Sequence, residues 1–129
     1  DGAMADQHIY VHLLGRRAFL PQQQGYSNMY VLFSPEDFVL APRGIILLSL
    51  QLSLDIPTGY LGRFFSVADM NVRGVLLCAQ EIQPSTWWEV SVVLFNHSDE
   101  FYRGSRGQPV ACLLLERVIY PTVRQASLV

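Results

Sequence analysis

The histidines are the first residues of this sequence to consider as metal ligands. His8 and His12 are four positions apart, a spacing that would place two imidazoles on one face of a helix. The segment around them alternates like a β-strand, however, and no third ligand follows nearby. His97 follows Asn96 at the end of an apolar run, where a role in a turn is expected. The sequence therefore predicts no metal site and no cofactor.

Residue patterns for nucleophilic catalysis are absent from the sequence. There is no Gly-x-Ser-x-Gly elbow, and neither cysteine is paired with a histidine. Residues 104–107, Gly-Ser-Arg-Gly, form a short loop with no helix after it to attract a phosphate. Cys78 and Cys112 lie in apolar runs, which predicts two buried free thiols. The carboxylates are predicted to be solvated surface charges; they include Asp37, Asp55, Asp69, Glu81, Glu89, Asp99, Glu100 and Glu116.

The last four residues, Ala126, Ser127, Leu128 and Val129, suit peptide recognition. PDZ domains add an extended peptide to a sheet edge and hold its terminal carboxylate in a nest of backbone N–H groups. Val129 would fill an apolar pocket. Ser127 would point the same way, because side chains alternate along a strand, and its hydroxyl could hydrogen-bond a pocket group. This ending predicts a PDZ-domain ligand, in which Leu128 and Ala126 tune selectivity.

Strand patterns dominate the elements that must position these residues. From Leu48 to Ile56, apolar residues alternate with polar ones, the two-residue period of a half-buried strand. We therefore predict one strand over residues 45–56. No window of eleven or more residues shows a clean helical stripe. Further strands are predicted over residues 10–14, 29–33, 38–40, 89–96 and 110–120.

Turn residues punctuate the predicted strands. Pro, Gly or Asn occur within residues 41–44, 57–59, 71–74 and 103–107, where the chain is expected to reverse. Short, regularly spaced strands with almost no helix predict an all-β barrel or sandwich. A chain of 129 residues is the size of one domain.

Composition narrows the classes of function. Half of the residues are hydrophobic and 16% are charged, which favours an ordered, well-packed domain. The formal net charge is −2 and the arginines are scattered, so no nucleic-acid surface is predicted. No apolar run reaches the roughly 18 residues of a membrane-spanning helix, so no direct membrane insertion is predicted.

The chain divides into three predicted segments. Residues 1–3 resemble the remnant of a cleaved tag, with a natural start at Met4. Residues 4–120 carry the strand patterns and form the predicted β domain. Residues 121–129 begin with Pro121, which does not favour a helix, and are predicted to be an extended C-terminal tail that carries the PDZ-binding motif.

The middle of the chain resembles the dUTPase family. Residues 57–63, Pro-Thr-Gly-Tyr-Leu-Gly-Arg, resemble the Pro-x-Gly-Tyr-x-Gly-Arg segment of that family. Residues 89–96 resemble the strand of its third motif, and residues 107–113 resemble its fourth. The resemblance runs from about Gly25 to Tyr120. It implies a dUTPase-like, jelly-roll-like β-barrel and, as in most dUTPases, a homotrimer.

The positions that contact nucleotide in this family have diverged. Where the family has Pro-Arg-Ser-Gly against the phosphates, this chain has residues 66–69, Ser-Val-Ala-Asp. The carboxylate of Asp69 would repel a phosphate. The family's catalytic aspartate corresponds to Gln83, which cannot act as a base. A second aspartate corresponds to Ser85 and a glycine to Trp88.

Two further family features are altered. The aspartate of the first motif corresponds to Ser27 or to Val31, depending on a gap, and the glycine-rich C-terminal arm is missing. Together these departures predict that the chain is not an enzyme. The alternatives are a dUTP nucleotidohydrolase with residual activity and a nucleotide-binding relative without turnover.

A second resemblance covers nearly the whole chain. Residues 4–6, 25–28, 57–60, 92–97 and 114–121 and the ending Ala-Ser-Leu-Val resemble the adenovirus early-region-four first-reading-frame family, a non-catalytic, dUTPase-related group. It implies a viral oncoprotein and adaptor that binds cellular PDZ scaffolds of the discs-large, multi-PDZ and membrane-associated guanylate kinase types. It also implies that the chain promotes phosphoinositide 3-kinase signalling and cell growth, and that it engages the Myc transcription factor.

The same resemblance implies a location and a second partner surface. We expect the host cytoplasm, with recruitment to membrane-associated scaffolds, and the nucleus as a further location. Asp69 matches an aspartate that the family keeps in its second motif, where further partners bind; a plain surface carboxylate is the alternative. Trp87 and Trp88 would add to that surface if they are exposed, whereas packing into a vestigial active site is the favoured prediction.

Overall fold

The chain is almost entirely β-structure. The computed structural model describes residues 7–85 and 88–128; the predicted tag remnant at residues 1–3, Trp87 and Val129 lie outside the described residues. The described strands are β1 Tyr10–Leu13, β2 Gln22–Gln23, β3 Met29–Phe33, β4 Phe38–Leu40, β5 Ile45–Ser49, β6 Leu52–Asp55, β7 Tyr60–Phe65, β8 Val75–Leu77, β9 Gln80–Ile82, β10 Ser91–Asn96, β11 Tyr102–Gly104 and β12 Pro109–Arg117. One short helix, α1, covers Ala68–Asn71.

The strands form antiparallel sheets around one hydrophobic core. The largest has the order β2-β3-β12-β7-β9, and a second has the order β5-β10-β8. Two smaller pairs, β1 with β6 and β11 with β4, complete the body. The core draws side chains from both larger sheets, among them Leu32, Leu48, Leu94 and Leu113, each at most 3% exposed. The prediction of a single all-β domain is therefore confirmed.

The predicted long strand over residues 45–56 is two strands. Leu48, Leu50 and Leu52 are all buried, so the predicted apolar face is correct. Gln51 adopts a positive φ of 57°, however, and the chain turns there from one sheet into another. Strand β5 pairs with β10, whereas β6 pairs with β1. Alternation alone does not reveal such a corner, because the same side chains face the core on both sides of it.

Packing and backbone conformation explain the two glycines of the dUTPase-like segment at residues 57–63. Gly62 lies in β7 between β9 and β12, where a Cβ would come within 2.6 Å of Ile82 Cγ1 and 2.9 Å of Leu113 Cδ1. Gly59 precedes β7 in a turn with a φ of 93°. Glycine is required at Gly62 by the lack of space and at Gly59 by the left-handed backbone conformation.

Asn96 is a buried polar residue that joins three segments. Its Nδ2 donates to the carbonyl oxygens of Leu40, Ala41 and Glu100, at 3.4, 3.2 and 2.7 Å. Its Oδ1 accepts from the backbone N–H and the hydroxyl of Ser98. The turn at this strand end is therefore held by Asn96, with exposed His97 beside it.

Two further features of the described residues limit function. No helix among them is long and apolar enough to cross a membrane. Within the same residues, no group of three or more His, Cys, Asp or Glu side chains could hold a metal ion together.

Candidate functional site

A cavity lies where the second-motif segment meets the large sheet. It has a volume of about 570 Å³ and opens between β3, residues 66–70 and the start of β12. Small-molecule sites usually have volumes of roughly 300–1,000 Å³, so a small ligand would fit by size. Val31, one of the two positions that correspond to the first-motif aspartate, contributes to the wall.

Short helix α1 positions one side of the cavity. Met70 is 2% exposed and anchors this single turn in the core, which leaves Ala68 and Asp69 exposed at the rim. Upstream, Ser66 Oγ accepts a hydrogen bond from the Leu77 N–H at 2.8 Å. The helix was not predicted, because four residues are too few for a helical period to show in the sequence.

The charge of the cavity does not suit a triphosphate. None of the described residues that line it is an arginine or a lysine, and Asp69 contributes the one carboxylate among them. Phosphate sites depend on cationic side chains or converging N–H donors, and a carboxylate at the rim adds repulsion. Arg73 is near the cavity but is not among its lining residues. Its guanidinium lies 5.0 Å from the ring centroid of Tyr102 and makes a cation–π contact there.

The two thiols have different environments. Cys112 is buried in β12 and lines the cavity, and burial raises the pKa of its thiol above its usual range. Cys78 is free and exposed, so the prediction that both thiols are buried is wrong for this residue. Cys78 follows the last residue of β8, an edge strand, and therefore remains on the surface despite its apolar neighbours.

The third-motif positions lie outside the lining of this cavity. Gln83 follows β9 and is exposed. Ser85 has a φ of 62°, and its N–H donates to Asp55 Oδ1 at 3.1 Å. Trp88 is 68% exposed, so the prediction that it packs into a vestigial site is wrong; Trp87 is outside the described residues. The cavity lining brings Asp69 together with Val31 but does not include Trp88.

The C-terminal tail is anchored at its root by Tyr120. The hydroxyl of Tyr120 accepts from the Gly59 N–H and donates to the Tyr60 carbonyl, both at 2.9 Å. Two residues before Tyr120, the Val118 N–H donates a hydrogen bond to the Gly59 carbonyl oxygen at 2.8 Å. The turn before β7 therefore fixes the place where the tail leaves the body. Sequence patterns did not predict this anchor, since a tyrosine before a proline has no distinctive spacing.

Beyond Tyr120 the described tail is exposed at every position. Residues 121–128 have no regular secondary structure, and Leu128 is 91% exposed. Ala126 and Ser127 are exposed as well, while Val129 lies outside the described residues. Extended chain spans at most about 3.3–3.6 Å per residue, so residues 121–128 reach up to roughly 28 Å from the anchor.

An apolar face covers the outer side of the β5-β10-β8 sheet. Phe95 in β10 pairs with Ile45 on one side and Leu76 on the other, and Val93 pairs with Leu47. Ile45 is 62% exposed and Leu47 71% exposed. The uninterrupted apolar run at residues 45–48 is the sequence pattern that could have indicated a strand apolar on both faces.

Comparison with known proteins identifies the class of the fold. The dUTPase family model matches residues 17–128. The dUTPase of Staphylococcus bacteriophage 80alpha superposes with a TM-score of 0.84 at 18% identity, over 95% of this chain and 97% of that one. The dUTPase of phage phi11 of S. aureus gives the same values. The class is therefore the dUTPase fold.

Sequence relatives define the group more narrowly. The early 4 ORF1 protein of human adenovirus C serotype 2 is 46% identical, over 97% of this chain and 98% of its own length. That of human adenovirus D serotype 9 is 42% identical, over 95% and 98%. The dUTP nucleotidohydrolase of Eremothecium gossypii is 35% identical, over 86% and 74%. The chain belongs to the dUTPase family and, within it, to the adenovirus early 4 ORF1 proteins.

Proposed function

We propose that the chain is a viral adaptor that does not hydrolyse dUTP and that binds cellular PDZ domains through residues 126–129. The observation that carries this proposal is the exposure of the tail. Ala126, Ser127 and Leu128 are exposed, and none of them makes a hydrogen bond or an ion pair with the described part of the body that a binding partner would have to break. An extended, exposed C-terminal peptide is the form in which PDZ domains bind their ligands.

The position of the anchor supports the same function. Five residues, 121–125, separate Tyr120 from the four-residue motif. At about 3.3 Å per residue they span roughly 16 Å, which gives a PDZ domain room to close around the motif without meeting the barrel. The tail can therefore be engaged while the body stays folded.

Chemistry at the cavity supports the absence of hydrolysis. Its lining lacks the cationic side chains that would bind a triphosphate, and it carries the Asp69 carboxylate instead. Gln83 occupies the position of the catalytic aspartate in the family resemblance, and an amide cannot accept a proton from water at neutral pH. The body therefore keeps the dUTPase fold without the phosphate-binding cations and the catalytic aspartate, and it is suited to carry the tail as a scaffold.

We infer the partners from the family. They are cellular scaffolds of the discs-large, multi-PDZ and membrane-associated guanylate kinase types, which would recruit the chain from the host cytoplasm to membrane-associated complexes. A second surface of the chain would promote phosphoinositide 3-kinase signalling and cell growth, and in the nucleus it would bind Myc. Asp69 and Trp88 are both exposed, in keeping with such a surface, and Trp87 is its third proposed member.

We further propose a homotrimer, as in most dUTPases. The apolar face formed by Ile45, Leu47, Leu76, Val93 and Phe95 gives a second and a third copy a surface to bury. Three tails on one particle would raise avidity about 100- to 10,000-fold where the geometry permits. Sedimentation of the purified chain tests the assembly, and Leu47→Glu, which adds a charge to that face, should shift it to monomer.

The experiment that tests the adaptor is binding of the purified chain to a panel of isolated PDZ domains. Deletion of residues 126–129 and the single change Val129→Ala should abolish binding, because the terminal pocket loses its apolar side chain. Thr122→Ala, in the tail but outside the motif, is the matched control and should bind as the parent does. Equal binding by the truncated chain would contradict the proposal.

Hydrolysis of dUTP is the second candidate function, favoured by the dUTPase fold and by a cavity of suitable volume. The test is incubation with dUTP and magnesium, followed by measurement of pyrophosphate. We expect no release above the uncatalysed rate. A thermal shift with dUMP tests nucleotide binding without turnover, and we expect an unchanged unfolding temperature.

A further inference from the structure

Two serines in this chain have an arginine three residues before them. They are Ser66, preceded by Arg63, and Ser127, preceded by Arg124. Many protein kinases select such serines, because carboxylates in their peptide groove pair with the guanidinium while the hydroxyl reaches the nucleotide. The sequence alone does not separate the two sites, since both have the same spacing.

Ser66 is unsuited to a kinase because it belongs to the folded body. It is half-buried directly after β7, and its Oγ accepts a hydrogen bond from the Leu77 N–H. Arg63 lies within β7, and its Nε is 3.0 Å from Glu116 Oε1 and 3.8 Å from Glu81 Oε2. A kinase would have to pull β7 away from β9 and β12 to bind this segment extended.

Ser127 and Arg124 are in the opposite situation. Both are exposed, and neither makes a hydrogen bond or ion pair with any residue that the structure describes. The segment has no regular secondary structure, so no sheet has to open for it to lie in a peptide groove. Leu128, 91% exposed, supplies an apolar residue directly after the acceptor.

We propose that Ser127 is a phosphorylation site for an arginine-directed protein kinase, and that its phosphorylation switches off PDZ binding by the tail. The switch rests on the proposed PDZ function and adds a mode of regulation to it. In the reaction the Ser127 hydroxyl oxygen attacks the γ-phosphorus of ATP. The bond to the bridging oxygen breaks, ADP leaves, and the hydroxyl proton passes to the kinase base.

The physical basis of the switch is the position of Ser127 within the motif. Its hydroxyl is the group proposed to hydrogen-bond inside the PDZ pocket, two residues from the terminal carboxylate. A phosphate there carries a charge of about −1.5 to −2, lacks the hydroxyl proton and is far larger. Loss of that buried hydrogen bond alone corresponds to about 10- to 100-fold weaker binding.

The test begins with the full chain, ATP and the catalytic subunit of the cyclic-AMP-dependent kinase as an arginine-directed probe. Intact mass and peptide mapping should locate one phosphate on Ser127 and none on Ser66. Arg124→Gln should slow the modification at least about tenfold, because the groove loses its ion pair. Ser66→Ala is the matched control and should be modified at the parent's rate.

The second stage compares PDZ binding before and after phosphorylation. The parent should lose affinity, and Ser127→Thr, which keeps a hydroxyl, should bind and be switched in the same way. Arg124→Gln should bind PDZ domains as the parent does, which separates kinase recognition from PDZ recognition. Phosphatase treatment should restore binding to the modified parent.

The two proposals fail in distinguishable ways. Absence of phosphate on Ser127, an unchanged rate in Arg124→Gln, or full PDZ binding by the phosphorylated chain would each overturn the switch and leave the adaptor intact. An unmodified chain that binds no PDZ domain would instead overturn the adaptor and the switch together, whatever the mass measurement shows.

Discussion

The barrel and the tail of this chain differ in whether their side chains are buried. In the barrel, residues such as Leu94 and Asn96 are fully buried, and their partners include residues distant in sequence, Ile46 and Leu40 respectively. In the tail, from residue 121 onwards, every described side chain faces solvent and none contributes to the core. A substitution in the barrel should therefore change stability, whereas a substitution in the tail should change recognition. Tyr120 lies at the boundary, since it is bound to the barrel and positions the tail.

Transfer of the tail to an unrelated carrier would test this separation with the largest expected effect. Residues 119–129, fused to the C-terminus of a small soluble protein, should bind the same PDZ domain as the parent, because the motif needs no part of the barrel. Isothermal calorimetry would measure the affinity per tail. A carrier that does not bind would show that the barrel takes part in recognition.

Leu94→Ala should lower the free energy of unfolding by about 2–5 kcal/mol. Leu94 is 1% exposed in the central strand of its sheet, so its removal leaves a cavity in the core. Urea denaturation followed by tryptophan fluorescence measures the change. Leu128→Ala in the tail is the matched control, with no change in stability expected.

Asn96→Ala should cost about 1–3 kcal/mol of stability, because three carbonyl oxygens lose their shared donor. The same denaturation experiment measures it, with Thr122→Ala as the control. A neutral result would mean that water replaces the amide at these carbonyls.

Tyr120→Phe should lower the free energy of unfolding by about 0.5–1.5 kcal/mol, since it removes the hydroxyl that joins Gly59 to Tyr60. PDZ affinity per tail should stay the same, because the motif itself is intact. A large loss of PDZ affinity would show that the anchor, and not only the motif, determines recognition.

The two thiols should differ in their reactivity with a thiol reagent, and the ionisation of Cys112 should change the stability of the chain only a little. Cys78 is exposed and should react fast with a thiol reagent in the native chain, whereas Cys112, which is buried in the cavity wall, should react much more slowly until the chain unfolds. Burial raises the pKa of Cys112, so folding favours the protonated thiol. This contribution to stability is complete at neutral pH and is lost as the pH rises through the native pKa. Mass spectrometry of alkylated protein, native and unfolded, would test the order.

Sequence patterns predicted β1, β3, β4, β10 and β12 and a single strand in place of β5 and β6, but they did not predict β2, β7, β8, β9 or β11. Residues 29–33 and 38–40 were predicted with the observed bounds, because each is a short apolar run between turn residues. Residues 45–56 were predicted as one strand, since the corner at Gln51 leaves the alternation unbroken. The exposure of Cys78 and Trp88 was not predicted, because apolar residues at a sheet edge or in a connection look like core residues in sequence.

The sequence by itself determined the β class, the dUTPase resemblance and the chemistry of the tail, because these depend on residue types and short spacings. Only the tertiary structure decided which of two equivalent arginine–serine pairs is accessible. It also joined Tyr120 to the turn at Gly59 and gathered Val31, Asp69 and Cys112 around one cavity. Contacts of this kind join residues far apart along the chain, and no local pattern records them.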